Sequence, residues 1–517
     1  MTRIVTCVLI LLSSSSCRSQ LVQTCRFEWE KKYSDDNFVM ANSGDQGIML
    51  FRETTNREFK GNAWEVIRLD TLLEVVWEVV IEVDFKYEII GYEFSLGNLY
   101  LLFSEQYGGG KTKLHLVKIH GKDGSDEHYN LTSDLALQAS HLLINDNQVV
   151  LGGEITYRST FVIFDYKEDK VTVVPGFYNK KSEILDFNYD NDHKSYNVLL
   201  TEKGSSGHHL INMVSFDRNG DIVVDEKHIF EENIRALNGK VMIGNDNNLY
   251  YAGSYGINSS YYSQGIFFGK ITPDEGLTIR SHRLNNFDHI FDYMGKKKAA
   301  KVKEKIKKSK SINKSYEFKT QMILQEFREV DEGFLLLSDI YKPEYHYMDK
   351  NPMTVRAGDN YSDGSNQKYI KKTSGITNTE DASSVNYYEA VLVQIDKNGK
   401  LLWDNSLPTP DIEMMALTQV AAAHVEGNTG CILYKDSNDI RYKLFSLESE
   451  EASDSTVAVM TFVEGDKIDK EIDKQGKIEK WYNNNFIIWG YQRVENLQSD
   501  EVDRRRNVFY INKLHIQ

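Results

Sequence analysis

The sequence predicts an all-β chain, a β-propeller of about eight four-stranded blades. Three observations predict it. Residues 390–405, AVLVQIDKNGKLLWDN, form a complete strand–turn–strand unit. Weaker copies of this unit recur about every 50 residues. Finally, one strand is spare at the start of the chain and one is missing at its end.

In the complete unit, Val391, Val393 and Ile395 fall on one face of a strand, and Asn398-Gly399 supplies the positive φ of a tight turn. Second-strand copies are read at 47–51, 99–103, 149–153, 196–200, 249–253, 334–338, 431–434 and 486–490. Third-strand copies are read at 65–69, 114–119, 160–164, 213–216, 265–271, 390–395, 442–447 and 508–514. A turn and a fourth strand follow most third strands, as at 73–80, 170–174 and 222–225. Residues 507–517 end the last copy with no room for a fourth strand, while 26–33, RFEWEKKY, is a strand without a hairpin partner. Joining the two in one blade closes a ring of eight. Seven blades is the alternative if the copy at 47 belongs to another blade. A closed ring leaves few bare strand edges for other chains to pair with.

Composition agrees with a folded, strand-rich chain. At 517 residues it exceeds one ordinary core, so it holds several domains or a repeat. The 30 tyrosines and 24 phenylalanines suit half-buried strand surfaces. A formal charge of −15 disfavours nucleic acid as a general partner, because phosphate binding needs a basic face.

Residues 1–17 read as a signal peptide, with Arg3 as its charged end, apolar 4–12, and 13–16 as the small residues before Cys17. Small residues followed by cysteine resemble a bacterial lipoprotein signal, with Cys17 as the lipidated residue. Ordinary cleavage is the alternative. Cys7 belongs to the leader. Of the four cysteines, Cys25 and Cys431 remain, either as buried thiols or as a disulfide pair. Residues 26–517 form a single propeller domain with two insertions, a Lys-rich one at 295–318 and a polar loop at 341–388.

The Lys-rich insertion is the candidate partner-binding site. Lys296, Lys297, Lys298, Lys301, Lys303, Lys305, Lys307, Lys308 and Lys310 are opposed within their span only by Glu304. Such a run suits an anionic partner, and its bland counterpart is a solvated helix or arm. Its apolar face is thin, limited to Ala299, Val302 and Ile306, so deletion of 295–318 is expected to leave folding intact. The alternating oxygens of Asp186, Asn188, Asp190 and Asp192 imitate a calcium loop, but Asn191 and Asn197 stand where glycine and a carboxylate belong. A polar turn is the simpler reading. His208-His209 would point to opposite strand faces and so cannot share one ion. No HExxH, GxSxG, Walker-type or GxGxxG motif occurs, and neither a metal nor a cofactor is expected.

Residues 396–403, DKNGKLLW, resemble the repeat of the PQQ-like propeller family, in which Gly-Lys-x-x-Trp follows the third strand and the Trp packs between blades. Residues 217–222 follow the same plan without the Trp, and 72–77 keep the Trp without the Gly. The resemblance implies the fold. It also implies kinship with the non-catalytic lipoprotein scaffolds of outer-membrane assembly and with exported Bacteroidetes-type propellers. The adjacent-cysteine pair of the family's quinone-dependent dehydrogenases is absent.

The expected protein is therefore an exported lipoprotein of the bacterial outer membrane that binds envelope proteins, with the Lys-rich insertion meeting an anionic surface. The alternative is a carbohydrate-active or glycan-binding ring with acidic residues at its channel. An enzyme would show carboxylates with shifted pKa values converging on the channel. A scaffold would show an exposed apolar or aromatic patch at one face.

Overall fold

Middle strands such as Ile48–Thr54 and Asn98–Glu105 carry unbroken apolar runs, as expected when both faces of a sheet are covered. In the computed structural model they are. It describes residues 20–517, apart from 33–35, 55–58, 106–110, 146, 157, 178–181, 205–207, 231–233, 259, 273–275, 312–315, 346–383, 449–451, 473–476 and 499–502. Residues 1–19, including Cys7 and Cys17, lie outside the described residues.

Eight antiparallel sheets follow one another along the chain, at 39–83, 87–133, 138–173, 182–229, 234–283, 321–414, 421–458 and 466–516. Each is a four-stranded blade; in the fifth and eighth the first strand is interrupted, both pieces pairing with the same second strand. Eight apolar clusters fill the seams between consecutive blades. The seam of Phe27, Ile487 and Phe509 with Met40, Ile48 and Leu50 joins the eighth blade to the first. The ring is closed, and the copy at 47 belongs to the first blade.

Every second- and third-strand segment read from the sequence occupies that place in its blade. Successive residues serve different seams: Val391, Val393 and Ile395 pack towards the fifth blade, Ala390 and Leu392 towards the seventh.

The spare strand is the fourth strand of the eighth blade. It spans Leu21–Glu30, starting earlier than the sequence suggested, and pairs antiparallel with Arg505–Ile516. A buried polar clasp reinforces this pairing. Arg26, 3% exposed, donates to Glu28 at 2.6 Å, to Gln492 and Asn512 at 3.0 Å, and to the Met460 carbonyl at 3.2 Å. Its guanidinium lies 4.3 Å over the Tyr510 ring. Arg506 joins Glu28, at 3.2 Å, to Asp466. Burial alone would raise the Glu28 pKa, but Arg26 and Arg506 hold it below the ordinary carboxylate value.

One turn recurs between third and fourth strands. The Oδ1 atoms of Asp70, Asp217 and Asp396 each accept from the backbone N–H two and four residues on, at 2.8–2.9 Å. The positive φ falls on Gly399 and Gly220, not on Asn398, and in the first blade on Leu73, at 64°. A Cβ on Gly399 would stand 3.1 Å from Phe268 of the preceding blade. The glycine therefore serves both the turn and blade packing. Trp403 packs at the seam of the sixth and seventh blades, against Phe445.

Strand direction alternates within each blade. First-to-second and third-to-fourth turns therefore share one face of the ring, here the lower. Second-to-third loops and blade-to-blade connections share the upper face. The Lys-rich insertion contains a helix, α1 (Lys296–Ser311), on an upper connection between the fifth and sixth blades. Its thin apolar stripe is not idle. Ile306 is buried, Ala299 and Val302 pack beside it, and Phe318 just beyond the helix stacks on Phe291 with ring centroids 5.6 Å apart. This corrects the expectation that 295–318 can be removed without cost. The second insertion is also narrower than read: Gly333–Glu344 and Ser384–Ile395 continue as paired strands, and residues 346–383 lie outside the described residues.

Two outcomes follow from this packing. Arg26→Ala leaves several buried partners unpaired and is expected to cost about 3 kcal/mol in urea unfolding; a loss below about 1 kcal/mol would show the clasp to be incidental. Ile306→Ala is expected to cost about 2–3 kcal/mol, where a freely solvated helix would lose nothing.

Candidate functional site

Among the described residues, the largest departure from the eightfold repeat lies on the upper face, between the fifth and sixth blades. Helix α1 directs Lys296, Lys297, Lys298, Lys301, Lys303, Lys305, Lys307 and Lys308 into solvent. The side chain of Lys310 lies outside the described residues. Among the described residues no carboxylate forms an ion pair with these eight, and Lys303 donates to the Asp288 carbonyl at 2.9 Å.

Sequence reasoning missed the aromatic side chains exposed on the same face. Tyr261 and Tyr262 lie on the second-to-third loop of the fifth blade, and Tyr345 follows the second strand of the sixth. They are 38%, 39% and 46% exposed, unusual for rings of this size. Their tyrosine identity was legible, but which loops share a face depends on strand direction.

A buried acidic clamp holds the segment leading into α1. Asp404 accepts from the backbone N–H groups of Asp288 and His289 at 2.9 and 2.8 Å. Glu389 accepts from the Tyr293 N–H at 3.1 Å and the Ser406 hydroxyl at 2.8 Å. Burial pushes the Glu389 pKa up to about 8.

The central channel collects a second group of ionisable side chains from the first strands of several blades. Glu326 and Arg328 come from the sixth, His424 from the seventh, Glu479 and Lys480 from the eighth. Gln419 donates to Glu326 at 2.9 Å. Each of the five charged or titratable groups keeps part of its surface open. Desolvation there raises Glu326, and raises Glu479 to about 7. It lowers Lys480 to about 8, helped by Arg328. Carboxylates with raised pKa therefore do converge on the axis.

The remaining candidates take structural places. Asp186 accepts from the Val241 N–H of the next blade at 2.7 Å, and Asp190 from the Asp192 N–H at 2.8 Å, so these oxygens serve a blade seam and a turn. Among the described residues no group of three or more His, Cys, Asp or Glu side chains is placed to hold a metal. His209 opens a strand, directly after His208. Cys25 and Cys431 are buried in different seams and are not bonded to each other.

No protein-family model matches the chain, and no curated protein matches it. Solved structures similar to it include the polysaccharide lyase Uly1, at 8% identity and TM-score 0.36 over 83% of this chain and 90% of that one. The Dos1 propeller has 10% identity and TM-score 0.37 over 83% and 92%. Prolyl oligopeptidase B from Galerina marginata has 10% identity and TM-score 0.39 over 88% and 55%. At such identities no activity carries over from any of them.

The Glu389 clamp sets a pH dependence. Its folded-state pKa lies above the ordinary value of 4.5, so the native state binds the proton more tightly than the unfolded chain. Its contribution to stability is expected to fall as pH rises from about 4.5 to about 8, and to stay level above. Urea midpoints of wild type and Glu389→Gln at pH 5, 7 and 9 check this. The variant should lose that part of the decline, and identical pH profiles would refute the clamp.

Proposed function

We propose that this propeller is a non-catalytic binding scaffold, and that an acidic protein docks on the upper face of its fifth and sixth blades. The observation that carries the reading is that the solvent-directed lysines of α1 and the exposed Tyr261, Tyr262 and Tyr345 share one face of the ring, at the fifth and sixth blades. Tyrosine supplies large contact area at low entropic cost, and the lysines steer an anionic partner. The axial carboxylates favour the glycan-directed alternative. They are largely withdrawn from solvent, whereas the tyrosines and lysines of the upper face are open to a macromolecule.

On this reading the protein is exported, with Cys17 as a lipid anchor to the outer membrane, and its partner is another envelope protein. The resemblance of residues 396–403 to the repeat of scaffold propellers supports this. So does the arrangement of the faces. Gln20, three residues after Cys17, accepts the Gln517 N–H at 3.1 Å at the lower edge of the eighth blade. Helix α1 lies on the upper face. An anchor at Cys17 would leave the lysines facing away from the anchoring membrane, towards a protein.

A variant carrying Lys297→Glu, Lys301→Glu, Lys305→Glu and Lys308→Glu tests the proposal, since all four side chains are solvent-directed and the fold should hold. In cross-linking capture from membrane extract, the wild-type chain is expected to retain a defined set of proteins that the variant loses by at least about tenfold. An unchanged set would overturn the proposal. Wild-type binding to anionic lipid vesicles alone would replace the protein partner by a headgroup.

A further inference from the structure

On the opposite, lower face, the first strands of the sixth, seventh and eighth blades bring three basic side chains together. Arg328 Nη2 donates to the Ala423 carbonyl at 3.2 Å, which sets the guanidinium beside His424. Lys480 Nζ stands 4.9 Å from the centroid of the Phe486 ring, and the His424 imidazole meets the same ring edge-on at 6.4 Å. Lys480 Nζ and both ring nitrogens of His424 are buried and have no hydrogen-bond partner. Buried polar nitrogens left unpaired are costly, and three together are not the ordinary condition of a folded interior; burial lowers the His424 pKa to about 4, so its neutral ring offers one N–H donor beside the Lys480 ammonium.

The neighbouring negative charge does not satisfy them. Glu426 Oε2 is 3.6 Å from His424 Nε2, but its side chain is 76% exposed, at the mouth of the site. Glu326 already accepts from Gln419, and burial weakens its tendency to ionise. Beside the cluster is a cleft of about 180 Å³ lined by His424, Glu426, Cys431, Asn484 and Gln517. It is smaller than the pockets that hold drug-sized ligands and suits a compact group.

We propose that Arg328, His424 and Lys480 form a binding site for a small oxyanion, entered through the cleft between the seventh and eighth blades. A carboxylate or a phosphoryl group would give Lys480 and the His424 N–H an acceptor and offset the positive charge of Arg328 and Lys480. The site is independent of the upper face, because it belongs to other blades and the other end of the ring.

The test is calorimetric titration of the full chain with sodium phosphate and, separately, sodium glucuronate, at pH 7 and low salt. Saturable binding of either anion is expected. Phosphate alone would assign a phosphoryl ligand, and glucuronate alone an acidic sugar. Lys480→Met keeps the apolar stem over Phe486 and is expected to weaken binding about tenfold, while Lys480→Arg retains it. Glu426→Gln alters only the exposed mouth, so it should fold normally, and it is expected to tighten binding about threefold. No binding of either anion by the wild-type chain would overturn the proposal, as would identical affinity in wild type and Glu426→Gln.

Discussion

A ring of sheets has to close, and the structure depends most on how this one does. Each blade buries both faces against its neighbours, so an open ring would expose two apolar surfaces at once. Closure rests on one antiparallel pairing, Leu21–Glu30 against Arg505–Ile516, between the two ends of the chain. The Arg26 clasp fixes its position, because a guanidinium held by Glu28, Gln492, Asn512 and a carbonyl of the incoming connection tolerates no slip of register. Gln23 adds a second tie, accepting from Asn512 and from the Met460 N–H, both at 2.9 Å. Polar residues here specify which strands meet, and the seam around Phe27 and Phe509 supplies the apolar burial.

Around the rest of the ring, blade is linked to blade through turns as well as seams. The turn glycines Gly124, Gly220 and Gly399 each approach the outer part of the preceding blade, near Trp77, Thr172 and Phe268 respectively. A side chain at these places would push neighbouring blades apart. The first blade solves the same turn differently. Leu73 accepts a left-handed backbone and is itself wholly buried in the closing seam, so its burial offsets the conformational strain.

The regularity breaks at the fifth and sixth blades, and both proposed binding regions lie where side chains depart from what the repeat needs. On the upper face the Glu389 and Asp404 clamp and the Ile306 contact hold α1 against the ring, leaving its lysines and the tyrosines of that face outward. At the lower end of the channel, basic side chains from three blades meet, and those of His424 and Lys480 lack hydrogen-bond partners. The first region offers a broad surface and the second an enclosed corner, so they suit ligands of different size.

What the sequence by itself determined was the repeat. Middle strands covered on both faces must be apolar throughout, and the turns between them need glycine or aspartate, so blade number, strand order and the closing strand were all legible. Composition also marked the lysine run. Only the tertiary structure decided what these parts do together. Whether Ala299, Val302 and Ile306 form an idle stripe or a packed one depends on Phe291 and Phe318 being brought beneath them. The first-blade turn carries no glycine to announce it. The channel cluster joins residues 326, 328, 424 and 480, which no local pattern relates. The tyrosines became a surface through strand direction, which places loops from different blades on one face. Local periodicity records which side of a strand is buried; which distant side chains share a corner is set by the closure of the ring.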